Sequence, residues 1–125
     1  MYNKLHKNLI GVLCFIIPFL LYFITKSDSL ALADAAEFAL VAKIGSIAHA
    51  PGFPSYIIFG WIWLKLLSLI SSNVILNLIL FSIVSTSVAS VLFYNTLRLI
   101  FINLSFKKVN DLQTEIVSAI TSISF

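Results

Sequence analysis

The 125-residue chain is 60% hydrophobic, carries eight basic and five acidic side chains, and has a formal charge of +3. So few charges exclude an ordinary water-soluble domain, in which about 25% of residues are charged. So thin a positive balance excludes a nucleic-acid-binding face, which needs clustered Lys and Arg, and a single cysteine, Cys14, excludes an intrachain disulfide or a cysteine metal site.

The first predicted element is a membrane span over residues 8–25. No charge interrupts "NLIGVLCFIIPFLLYFIT", which as a helix rises roughly 27 Å, close to the hydrocarbon thickness of a bilayer. Pro18 lies inside it, and membrane helices tolerate proline. Lys4 and Lys7 precede the run and mark its start as cytoplasmic. A signal peptide is the rival reading, with "ALA" at 31–33 as the cleavage site before Asp34. The apolar run is longer than a usual signal core of about 7–15 residues, and Lys26 and Asp28 intervene. The span is the better reading.

Residues 26–72 are predicted to form a long outer loop with two interfacial helices. The first, "ALADAAEFALVAKIG" at 31–45, is rich in Ala and Leu, and Gly45 can end it. The second covers about 55–70. Its polar residues Trp61, Lys65, Ser68 and Ser72 recur at helical spacing, a narrow stripe suited to a membrane surface. Parity of crossings agrees. Lys4 and Lys7 on one side and Lys107 and Lys108 on the other are all expected in the cytoplasm, so an even number of spans separates them. "SSN" at 71–73 can cap a helix, and residues 74–102 are predicted as span two. Residues 103–112 are then a cytoplasmic loop. The Asn103-Leu104-Ser105 glycosylation acceptor falls there and would go unused. Residues 113–125 would begin a third span. The expected whole is an all-α membrane protein, with two transmembrane helices and a truncated third forming one incomplete domain over 1–125.

The scarce polar groups gather in "DAAEFALVAKIGSIAHAPGFPSY". Asp34 and Glu37 are three apart, so a helix turns both to one face, shared with Val41. Lys43 points nearly opposite. The plain reading is a capping box, with Asp34 as N-cap and Glu37 reaching back. The functional reading is a carboxylate pair at the membrane surface, where acids are costly and mark sites. His49 precedes a stiff turn of Pro51, Gly52 and Pro54. A metal site of Asp34, Glu37 and His49 is chemically possible, but nothing in the spacing requires it. The aromatics Phe53, Tyr56, Phe59, Trp61 and Trp63 are most simply interfacial anchors.

Asp34, Glu37 and Phe38 form Asp-x-x-Glu-Phe. After about ten residues, His49, Pro51, Gly52 and Pro54 form His-x-Pro-Gly-x-Pro. Flanked by two spans, this order resembles the N-terminal part of the multi-span membrane family related to the vertebrate protein O-mannosyltransferase of the endoplasmic reticulum. The resemblance covers roughly residues 8–125. Ala33 departs from it where the family often has glycine. The chain is also much shorter than family members, which carry many more spans.

The resemblance implies a GT-C-type glycosyltransferase. Such an enzyme moves a mannose-like hexose from a polyprenyl-phosphate lipid to a hydroxyl acceptor, expected to be protein, on the non-cytoplasmic face. It implies an essential acid in the first outer loop, for which Asp34 and Glu37 are the catalytic candidates; the charge of a phosphate leaving group makes His49 and Lys65 the candidate substrate contacts. The donor is a substrate, and no other cofactor is implied. The expected setting is a bacterial inner membrane, with the N-terminus in the cytoplasm and the bilayer as partner. Two readings from other classes remain open: a noncatalytic truncated membrane protein, and a piece of a transporter or lipid-handling protein. The transporter reading predicts the acids at mid-membrane depth.

Overall fold

A computed structural model describes residues 2–27, 34–50, 52–103 and 111–124. The side chains of residues 2–7, 34, 102, 111, 112 and 124 lie outside the description. Among the described residues five helices follow one another: α1 (Tyr2–Thr25), α2 (Asp34–Ile44), α3 (Pro54–Leu67), α4 (Val74–Asn103) and α5 (Asp111–Ser124). No strand occurs among the described residues.

Two helices are long and apolar enough to cross a membrane, through Asn8–Thr25 and Val74–Phe101. They coincide with the two predicted spans. α1 reaches back to Tyr2, with Pro18 inside it. α4 begins where "SSN" ends. Asn73 is the cap: its side-chain oxygen accepts the Leu76 N–H at 3.0 Å, and Ser71 Oγ accepts the Asn73 N–H at 3.2 Å.

The chain forms two compact units. One comprises Thr25–Ser82. Here α2 lays Ala39 and Ala42 against Leu64 of α3 and Leu78 of α4, with Val74 packed alongside. Small residues allow close approach: a side chain added at Gly60 would meet Leu78 at 3.5 Å and Ala42 at 3.6 Å. A second cluster joins Val41, Ala48 and Ile57, flanked by Phe38 and Tyr56. Trp63 ties α3 to α4 by donating its indole N–H to the Asn77 carbonyl at 2.9 Å.

Gly45 stops α2, as its sequence suggested. At φ +70° its N–H bonds the Val41 carbonyl at 2.9 Å, and the Ser46 N–H bonds the same oxygen at 3.1 Å. α3 ends at Leu67, before the 70 expected from sequence, and Leu69 and Ile70 are then strongly exposed.

The other unit comprises Met1–Ile24 and Ile83–Phe125. Its polar and apolar faces are reversed relative to a soluble bundle. Ser87, Ser90, Thr114, Glu115, Ser118 and Ser122 are buried, while Leu9, Val12, Leu13, Ile116, Val117 and Ile120 are exposed. Arg98 Nε donates to Glu115 Oε1 at 2.8 Å, and the Tyr94 hydroxyl donates to Glu115 Oε2. Ser122 Oγ lies 3.5 Å from Cys14 Sγ, so α1 joins this seam.

Arg98, towards the end of the second apolar run, is largely buried, with a carboxylate partner. The segment 113–125, expected to begin a third span, falls largely within a helix that starts at Asp111. Residues 31–33, the glycosylation tripeptide beyond Asn103, and Lys107 and Lys108 lie outside the described residues.

Candidate functional site

The site grows from the joint between α2 and the turn that follows it. Val41 faces the cluster with Ala48 and Ile57. Glu37 lies one helical turn before Val41, so the same face carries its carboxylate toward that turn. The two oxygens divide the work. Oε1 accepts the backbone N–H of His49 at 2.9 Å, and Oε2 lies 2.8 Å from His49 Nδ1. An ionised carboxylate only accepts, so Nδ1 carries the proton and Nε2 is the basic nitrogen of the neutral ring. The His49 backbone N–H, and then the His49 ring, hold the Glu37 carboxyl below its ordinary value of 4.5.

This contact is not a large source of stability. The Glu37 and His49 side chains are 40% and 48% exposed, and exposed ion pairs contribute little. Its consequence is positional. One carboxylate fixes both the backbone and the ring of His49.

Aromatic packing adds to the positioning. Phe38 stacks on the His49 ring, with centroids 6.0 Å apart and planes 19° apart. It meets Phe53 edge-on at 5.3 Å and Tyr56 at 6.2 Å. The turn closes through the Gly52 N–H, which bonds the His49 carbonyl at 2.7 Å. Gly52 has φ +80°, and Phe53 follows with φ 38° and ψ 57°. A bulky residue pays on the order of 1–3 kcal/mol for that conformation. The edge contact with Phe38 returns roughly 0.5–1.5 kcal/mol of it. Pro54 then opens α3 with its φ already suited to a helix.

Asp34 is the first residue of α2. Its side chain, like all of Pro51, is outside the description. Both Glu37 oxygens bond His49. Among the described residues, no group of three His, Cys, Asp or Glu gathers as metal ligands would.

Lys65 belongs to a different place. Its Nζ sits 4.1 Å from the centroid of the Trp61 ring. It lines a groove of about 320 Å³ with Lys43, Ser68, Ser71 and Ser72, in which neither Glu37 nor His49 takes part. The predicted stripe of Trp61, Lys65, Ser68 and Ser72 is thus one surface. Lys43 joins it, which sequence reasoning missed. The signal was available: Lys43 pointed away from the acids, and the other polar stripe had no partner.

The family described as "Protein O-mannosyl-transferase TMEM260 N-terminal domain" matches residues 34–124. The chain belongs to this family. The match opens at Asp34 and runs from α2 through α5, so Asp-x-x-Glu-Phe and His-x-Pro-Gly-x-Pro both lie inside it. No curated protein and no solved structure matches the chain. In this TMEM260-family chain the two motifs meet through Glu37 and Phe38 of the first and His49 of the second.

Proposed function

We propose that the chain is the N-terminal, acid-bearing part of a membrane mannosyltransferase of the GT-C type. The donor is a polyprenyl-phosphate sugar, and the acceptor is a hydroxyl, in keeping with the family's protein O-mannosyl-transferase name. Residues 26–72 lie at the non-cytoplasmic surface, residues 8–25 and 74–102 cross the bilayer, and residues 103–112 return to the cytoplasm. Apolar residues that water would disfavour support a membrane setting. Ile47, Leu69 and Ile70 are 88%, 90% and 84% exposed, and the outward faces of α1 and α5 are apolar.

The observation that carries the reading is the Glu37–His49 contact, which ties Asp-x-x-Glu-Phe to His-x-Pro-Gly-x-Pro. In the reaction the acceptor oxygen bonds the anomeric carbon as the carbon–oxygen bond to the phosphate breaks. The hydroxyl proton passes to a carboxylate, and Asp34 at the head of α2 is the base. Glu37 is a positioning residue. It holds His49, whose ring binds substrate beside the reacting hydroxyl. Lys65 supports the charge that develops on the departing phosphate.

The test is Asp34→Asn in the full-length protein, assayed in membranes with a polyprenyl-phosphate mannose donor. Asparagine keeps the size and can still cap a helix, so expression should hold. Loss of the base should lower the transfer rate by about 10²–10⁴-fold. Transfer at the parental rate, with normal expression, would refute Asp34 as the base.

A further inference from the structure

α4 treats its polar side chains in two ways. Ser87, Asn95 and Thr96 turn back to the helix itself, each donating to the carbonyl four residues earlier, at 2.8, 3.0 and 2.9 Å. Ser85, Thr86 and Ser90 do not. Among the described residues their hydroxyls meet no hydrogen-bond partner. All three line one recess of about 310 Å³, together with Ala89 of the same helix, Pro18 of α1 and Ile123 of α5. Ser90 is only 6% exposed, while Ser85, Thr86 and Ala89 are open.

The spacing puts these four residues on one face: Ser85 and Ala89 are four apart, and so are Thr86 and Ser90. They fall at the middle of Val74–Phe101, the longer of the two stretches able to cross a membrane. A hydroxyl without a partner is costly at that depth, because the hydrocarbon core holds no water. Lipid offers nothing there either, since head groups lie roughly 15 Å away, half the thickness of the core. The missing partner is therefore the polar surface of another membrane helix.

The chemistry of the face selects which helix. A hydroxyl both donates and accepts, so a second copy of this face satisfies the first; ammonium or carboxylate groups could not pair with their own kind. A two-fold contact requires such self-complementarity. No side chain on this face of α4 is larger than threonine, so two backbones can approach closely. Copies inserted in the same orientation are related by an axis along the membrane normal. Equal depths then meet, and hydroxyls face hydroxyls.

We propose that the recess on α4 is the contact surface of a homodimer. Ser85, Thr86 and Ser90 of one copy exchange hydrogen bonds with those of the second, around a close approach at Ala89. The inference goes beyond sugar transfer and does not rest on it. It requires only that α4 cross the membrane.

The experiment follows energy transfer between donor-labelled and acceptor-labelled copies of the full chain in phosphatidylcholine vesicles, over a range of lipid-to-protein ratios. The parent should associate as a dimer that dissociates on dilution with lipid. The triple variant Ser85→Ala, Thr86→Val, Ser90→Ala removes the hydroxyls and nearly keeps the shape. It should weaken association about 10-fold, because each hydrogen bond between membrane helices contributes modestly. Ala89→Phe, at an exposed position, should abolish association by holding the backbones apart. In a Cys14→Ala background, Ala89→Cys should form an intermolecular disulfide on mild oxidation, and Val12→Cys on the exposed face of α1 should not. Circular dichroism on each variant shows that its helices are intact. Three results would overturn the interface: energy transfer at the level of random collisions at every ratio, a triple variant that associates as tightly as the parent, or equal cross-linking through positions 12 and 89.

Discussion

The two units of this chain treat polar groups in opposite ways. In the unit formed by Met1–Ile24 and Ile83–Phe125, they are buried: Arg98 and Tyr94 both hold Glu115, Ser87 bonds the Ile83 carbonyl, and Ser118 lies in the seam. In the Thr25–Ser82 unit, Glu37 and His49 are exposed, and Lys43 and Lys65 line an open groove. Buried polar groups in an apolar setting hold helices together, and their removal should damage the fold. Open polar groups add little to stability, and their removal should damage chemistry. The comparison teaches where to look for function in a chain with few charges. Polarity alone does not mark a site; polarity left open to a ligand does.

The comparison is broken most forcefully through Glu115. Its side chain is only 10% exposed, and it bonds two partners. Glu115→Ala leaves Arg98 buried without its carboxylate. Loss of one member of a buried pair costs about 3–5 kcal/mol. Equilibrium unfolding of the chain in detergent micelles should show a loss of that size. A loss below that of an exposed pair, about 1 kcal/mol, would mean that the seam is not structural.

The two long apolar helices were legible in the sequence because their cause is local. An uncharged run of bilayer length needs no partner to be recognised, and Asn73 caps α4 with atoms from its own neighbourhood. Gly45 was legible for the same reason, since only the αL geometry at a helix end is required. The Glu37–His49 contact was not. The two residues are twelve apart, and their meeting depends on how the chain turns back after α2 through the left-handed Gly45, which no periodicity reports. Phe53 in particular breaks the local rule, and its reason lies in the Phe38 ring. The Arg98–Glu115 pair was hidden by the topology rule itself. A basic residue at the end of an apolar run reads as a cytoplasmic flag, and its partner sits on another helix.

A smaller effect should follow from Gly45→Ala. The added carbon forces a left-handed alanine and presses on Trp61 at 3.0 Å. The backbone term alone is about 1–2 kcal/mol. Thermal unfolding should register it, and the indole fluorescence should shift as Trp61 moves. An unchanged spectrum would show that Trp61 is not held by this turn.

The smallest effect concerns pH. The Glu37 carboxyl is held below 4.5 by the His49 backbone N–H and then by the His49 ring. A depressed carboxyl contributes its stability above the unfolded value, and loses it as pH falls through the folded one. The His49 amide should therefore be protected from hydrogen exchange at neutral pH and lose that protection only below pH 4.5. Loss of protection between pH 7 and pH 5, set against the ordinary His value of about 6.5, would assign the switch to the imidazole instead.

The central claim is that Glu37 acts through His49, so that the two motifs form one working unit. A double-mutant cycle on sugar transfer by the full-length protein tests it most directly. Glu37→Gln and His49→Gln should each slow transfer by about 10-fold, and the double variant should be no slower than the more damaged single one, because coupled residues do not add. If the two losses multiply to roughly 100-fold, as independent residues would, the motifs do not act through this contact.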